Sequence, residues 1–164
     1  MKLNDEALAK LGIRRVVKRR DPSALAEFYA DVHLRFPAVF ERLCVSHSWT
    51  KAVIGEIALA ANQAGPTLRG LSESVRYDPH LWAYLLPRGY LIFGRMSGGR
   101  WDPCAFDMNE SSGEDAPVVR VDHEEILSFD RLGRPTLLAS GFGDLLAAHL
   151  EGGRRTPIRP PRVN

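Results

Sequence analysis

A chain of 164 residues, 45% hydrophobic and 26% charged, suits one globular domain that needs no metal or disulfide to hold a core. No apolar run approaches the ~20 residues that span a bilayer. The start, "MKLNDEALAKLG", has no apolar stretch of the kind that a secretory signal carries, so Cys44 and Cys104 are expected to be reduced, buried thiols of a cytoplasmic protein.

The net charge of +2 hides an asymmetry. Residues 1–20 hold seven Lys/Arg and two acids, and residues 151–164 hold four Arg and one Glu, which leaves 21–150 with a net charge of −6. Nine acids fall within 102–130 (Asp102, Asp107, Glu110, Glu114, Asp115, Asp122, Glu124, Glu125 and Asp130), against Arg120 as the one base. The pI therefore describes the two ends, and the acidic middle would repel nucleic-acid phosphate and suit a basic protein partner.

In chain order, the basic segment 1–20 precedes "DPSALAEFYADVHLRF". Here Asp21 is a cap, Pro22 fits the first helical position, and Leu25, Phe28, Tyr29, Val32 and Phe36 recur at helical spacing. After Pro37 the pattern resumes through Val39, Phe40 and Leu43, as a second helix or a kinked continuation. "TKAVIGEIALA" reads as a strand and "NQAGPTLRG" as a loop. "DPHLWAYLLPRG" is a helix with Asp78 as cap, Leu81, Trp82, Leu85 and Leu86 inward, and Pro87 and Gly89 ending it. "YLIFG" is a buried strand, "RMSGGR" a turn, and "WDPCAFDM" a strand with Pro103 near one end, which favours an edge or a strand start. After the polar loop "NESSGEDAP", "VVRVDH" and "ILSFDR" read as strands. "SGFGDLLAAHL" closes the domain as a helix capped by Ser140, and the Arg/Pro-rich 151–164 reads as a flexible tail. Closely spaced strands between 90 and 130, with helices around them, give a single α+β domain over 21–150, its mainly antiparallel sheet flanked by helices.

Signals for catalysis fail one by one. His123–Glu124 begins like a zinc-protease helix, but Leu127 stands where the second His belongs. Cys44 and His47 have a zinc-like spacing without a matching second pair, and Asp102, Asp107 and Asp122 are the candidates for a hard cation. In "ASGFGD" the serine precedes both glycines, so it is no nucleophile elbow. The reading is a protein with no catalytic residue, metal or cofactor. A small metal-assisted or acid–base enzyme using Asp122, His123 and Glu125 is the alternative.

"VVRVDHEEI" puts four titratable groups in a row. As a strand it sets Val119, Val121 and His123 on one face and Val118, Arg120 and Asp122 on the other. Asp122 with Glu125 three residues on is a capping-box pattern, and Val121 with Ile126 would form its hydrophobic staple. The structural reading thus absorbs Val121, Asp122, His123, Glu125 and Ile126 and leaves Glu124 over.

"YLLPRGYLIFGRMSGGRWDPCAFDM", then "PVVRVDHEEI", then the terminal "SGFGDLL" helix resemble the SUKH superfamily, the relatives of a cell-wall-assembly regulator. Trp101, Asp102, Pro103, Cys104, Phe106, Asp107, Asp122, His123, Glu124 and Glu125 carry the likeness, over roughly 22–150. Ala105 departs from it, standing between Cys104 and Phe106 where the family pattern reads Cys-Phe-Asp. The resemblance implies an α+β protein without known catalysis. Many bacterial members are immunity proteins that bind and block a polymorphic toxin. The expected partner surface is an acidic face of Trp101, Asp102, Asp107, Asp122 and Glu124, presented to a basic toxin domain. A regulatory scaffold that engages its partner through the Arg/Pro tail is a third reading.

Overall fold

The computed structural model describes residues 4–17, 21, 23–30, 32–99 and 101–150. Pro22 and the tail 151–164 lie outside the described residues. Helix α1 (Asp5–Lys10) starts where the Asn4 side chain accepts from the Glu6 and Ala7 amides. Strand β1 (Arg14–Arg15) follows and later pairs with β2 (His47–Ser48). Leu8 and Ile13 are fully buried in the main core, so the basic head contributes to the domain's interior.

Helix α2 (Ser23–Phe28) is shorter than its sequence pattern. Asp21 caps it, accepting from Ser23 N at 2.8 Å. The expected run to Phe36 breaks after Phe28, and Phe36 itself, before Pro37, is held out of helical geometry. The Tyr29 hydroxyl accepts the Phe36 amide at 2.9 Å instead. Val32 and Phe36 still reach the core, so the apolar spacing reported burial correctly and helix length incorrectly. Helix α3 (Ala38–Ser46) resumes after Pro37.

The single strand expected at 50–60 is a hairpin of β3 (Val53–Ile54) and β4 (Ile57–Leu59), turning at Gly55 with φ +62°. Helix α4 (Arg69–Val75), which begins inside the expected loop "NQAGPTLRG", buries Leu71 and Val75. Helix α5 (Pro79–Leu85) has the predicted Asp78 cap with Pro79 at its first position, and a 3₁₀ turn then ends at Gly89 in the left-handed region. Strands β5 (Tyr90–Met96), β6 (Pro103–Asp107) and β7 (Val118–Arg120) form the middle of the sheet. "ILSFDR" is not a strand: it belongs to helix α6 (His123–Phe129). Strand β8 (Thr136–Ala139) and helix α7 (Phe142–Leu150) close the fold.

The main sheet is antiparallel throughout, in the order β3-β4-β5-β6-β7-β8. Both faces are covered, and alternation along each strand sends side chains to two cores. Leu91, Phe93, Cys104, Phe106 and Val118 join the larger core with α1, α2, α3, α4 and α7. Ile92, Ala105, Val119 and Val121 join a smaller one under α5 and α6. Ala105, between Cys104 and Phe106, is thus the small inward residue of the second core. In the larger core Phe93 and Phe106 stack with ring centroids 4.3 Å apart, and Phe40 and Phe142 meet them edge-on or tilted. Burying each such ring is worth roughly 1.5–3 kcal/mol. The chain is thus one α+β domain. Among the described residues no helix is long and apolar enough to cross a membrane.

Candidate functional site

The β5–β6 turn builds the site. Gly98 and Gly99 take φ +76° and +85°, which only glycine adopts freely, and they bring the chain back so that Met96 N donates to Asp102 O at 2.9 Å. That turn leaves Trp101 65% exposed and places Asp102 at the mouth of β6, with its side chain 16% exposed. Antiparallel pairing of β6 with β7 sets Cys104 opposite Arg120, and Val121 N donates to Pro103 O. Asp102 is therefore brought beside Asp122 and the start of α6.

Two carboxylates then satisfy the first three amides of α6. Asp122 Oδ1 accepts from Glu124 N at 2.9 Å and Glu125 N at 3.2 Å. Asp102 Oδ1 accepts from His123 N at 3.2 Å and from His123 Nδ1 at 2.8 Å. A carboxylate only accepts, so Nδ1 carries the proton in that bond. Arg120 Nε lies 3.7 Å from Asp102 Oδ2. The expected cap at Asp122 is present, and Val121 and Ile126, each 1% exposed, pack in one core as the staple requires. The reciprocal half of the capping box is replaced: Glu125 pairs with Arg131 Nη2 at 2.9 Å. His123 does not continue the strand face of Val119 and Val121 but opens the helix.

Gly99, Trp101, Asp102, Arg120, Asp122, His123 and Glu124 line one open cavity of about 390 Å³. Four of the five expected partner residues thus come together. Asp107 does not: it sits at the opposite end of β6, roughly 17 Å away by strand rise, where it caps a 3₁₀ turn by accepting from Asn109 N. The trio Asp102, Asp107 and Asp122 is excluded as one cation site for the same reason. Asp102, Asp122 and His123 do offer ligand atoms within 4.8 Å of one another, but Oδ1 of each carboxylate already holds amides of α6. The Cys44–His47 zinc reading fails as well. Cys44 is fully buried, and His47 Nε2 meets Asp5 at 3.1 Å while Nδ1 meets Ser46 Oγ.

The other acids of 102–130 are mostly engaged in architecture. Glu114 forms an ion pair with Arg42, which holds its carboxyl below the usual range. Asp115 accepts from Phe142 N and Gly143 N at 2.8 and 2.9 Å and so caps α7. Ser140, the cap expected from sequence, donates to Asp144 instead. Among the described residues, only Glu110, Glu124 and Asp130 of the nine have side chains without a hydrogen bond or ion pair, and of these only Glu124 lines the cavity. Neither the role of Asp115 nor that of Asp102 was legible locally, since each caps a helix 21 or more residues further on. A weak signal existed at α7, where Gly141 stands just before Phe142 with no side chain to cap with. No family model matches the chain, and neither a curated protein nor a solved structure matches it significantly.

Proposed function

We propose that this protein is a non-catalytic protein-binding module of the SUKH type, acting in the cytoplasm as an immunity protein that captures a basic toxin domain. One observation carries the reading: an exposed indole, Trp101, and an unengaged carboxylate, Glu124, share the rim of an open cavity whose other acids are fixed by helix capping. Rigid aromatic anchors of this kind supply much of the affinity at protein interfaces, and rim charges supply steering. The antiparallel α+β fold agrees with the resemblance in the sequence.

The test uses toxin-like domains encoded beside the gene, purified as catalytically dead variants and titrated by calorimetry. Trp101→Ala should weaken binding by about thirtyfold, the effect of a central anchor. Glu124→Lys should slow association and flatten its salt dependence. Full binding by the double variant would refute the proposed face.

The Asp102–His123 pair at 2.8 Å, with Asp122 close by, favours the enzyme alternative enough to test it directly. Titration with Zn²⁺ or Mn²⁺, followed through the His123 ring resonances, should give no saturable shift if the site is architectural. A saturable shift lost in Asp122→Asn would favour the enzyme.

A further inference from the structure

Trp101 borders two depressions. Beyond the acidic one lies a cavity of about 220 Å³ over β4 and β5, with apolar walls that include Ala58, Leu59, Ile92, Met96 and Trp101. Among the described residues Arg95 is its one charged lining residue. The guanidinium donates once, from Nη1 to the Trp101 carbonyl at 3.2 Å, and the Tyr77 ring lies 5.9 Å from Cζ. Nη2 is shielded from solvent and has no acceptor among the described residues. No carboxylate among the described residues pairs with Arg95 either. The closest acid along the chain, Asp102, is already shared by His123 and Arg120.

A shielded guanidinium donor without an acceptor is costly, and such groups in folded proteins mark a missing partner. Apolar walls with a single planar cation match one ligand chemistry in particular, a carboxylate on a compact apolar body, which the guanidinium fork can grip through two parallel bonds. Tyr77 and Trp101, 78% and 65% exposed, flank the guanidinium through the Tyr77 ring and the Trp101 carbonyl.

We propose that this cavity binds a small carboxylic acid with a compact apolar body, held by Arg95 and covered by Trp101. The site does not depend on the acidic-face reading, although the two share Trp101.

The test is a ¹H–¹⁵N NMR titration of the full chain with phenylacetate and, in parallel, with the neutral isostere phenylacetamide. The Trp101 indole resonance, assigned by its loss in Trp101→Phe, should shift saturably with a dissociation constant on the order of 1 mM. The amide should bind about tenfold more weakly, having no charge for the guanidinium to meet. Arg95→Met should abolish the preference for acid over amide, and Glu124→Lys should leave phenylacetate binding within about twofold. Absence of saturable shifts, equal binding of acid and amide, or a preference that survives Arg95→Met would overturn the proposal. If circular dichroism shows that Arg95→Met is unfolded, Ala58→Leu decides. It fills the cavity and keeps the guanidinium, so saturable binding should vanish, and its persistence would be equally fatal.

Discussion

Removing the Asp115 carboxylate should unfasten α7. This side chain accepts two amides at the start of a helix 27 residues away, and its Oδ1 also accepts its own neighbour's amide, Ala116 N, at 2.8 Å. Gly141 makes room for it: a Cβ there would lie 2.5 Å from Asp115 Oδ2. The same loop carries the Gly113 and Glu114 carbonyls, which accept the first two amides of α3, so one acidic turn anchors two helices of the main core. Loss of an N-cap costs about 1–2 kcal/mol. Loss of a charge facing the helix dipole adds about 0.5–1 kcal/mol. Asp115→Ala should therefore destabilise the fold by about 1.5–3 kcal/mol, and at this chain length each kcal/mol lowers Tm by about 2–4 °C. Ser140→Ala, at the residue that looks like the cap in sequence, should cost less than about 0.5 kcal/mol. Urea unfolding with a common m-value gives both numbers. A larger loss for Ser140→Ala than for Asp115→Ala would refute the remote-cap argument.

Three further outcomes follow from the same geometry. Gly94→Ala would set a Cβ 2.6 Å from the Ala58 carbonyl oxygen and 3.2 Å from Ile57 Cγ2. It should cost about 1–3 kcal/mol, read as a fall in Tm, and unchanged stability would show that β4 and β5 are not so closely apposed. Burial pushes the Cys104 thiol from 9.0 up to about 12, and it raises the Tyr29 phenol as well. Both are neutral when protonated, so the folded state holds these protons more tightly than the unfolded chain. Their contribution is complete below about pH 9 and is lost as pH climbs from there towards 12 for Cys104. Urea midpoints should accordingly fall above pH 9, and a thiol-specific disulfide reagent at pH 8 should label neither cysteine until the chain unfolds. A native thiol that reacts at pH 8 would contradict the burial of both side chains.

What the sequence revealed and what it concealed divide by range. Local chemistry was legible: Asp78 with Pro79 starts α5, Gly89 ends the turn after it, and Asp122 caps α6 with Val121 and Ile126 stapling it. Apolar spacing identified core residues even where the secondary structure differed, as at Val32 and Phe36. The α+β class followed from the clustered strands. The missed features depend on contacts between distant segments. Helix α4 begins in a run rich in Gly, Pro and Thr and is held by burial of Leu71 and Val75. The hairpin at Gly55 hides inside a β-branched run that is strand-like on both sides. The period-2 reading of "VVRVDH" was right up to Val121 and failed at His123, where two carboxylates draw the chain into a helix.

The dense charge of 102–130 looks like a ligand surface, yet six of its nine acids are tied to backbone amides or arginines. This matters for how the binding face is tested. Alanine at Asp102 or Asp122 removes amide partners of α6, a loss of about 1 kcal/mol or more from the helix that carries Glu124. An exposed rim charge contributes less than that to most interfaces. Weakened partner binding in Asp102→Ala or Asp122→Ala would therefore report displacement of α6 before it reported a lost contact. Trp101 and Glu124 are free of this ambiguity. The indole is largely exposed, and the Glu124 carboxylate makes no bond among the described residues, so neither substitution removes a hydrogen bond or ion pair, and Glu124→Lys costs the fold only its first-turn charge, about 0.3–1 kcal/mol. Binding that falls in Trp101→Ala at unchanged Tm, and in Glu124→Lys with Tm lowered by no more than a few degrees, would belong to the interface itself. Binding lost only in the capping variants, together with a lower Tm, would assign the acidic stretch wholly to architecture.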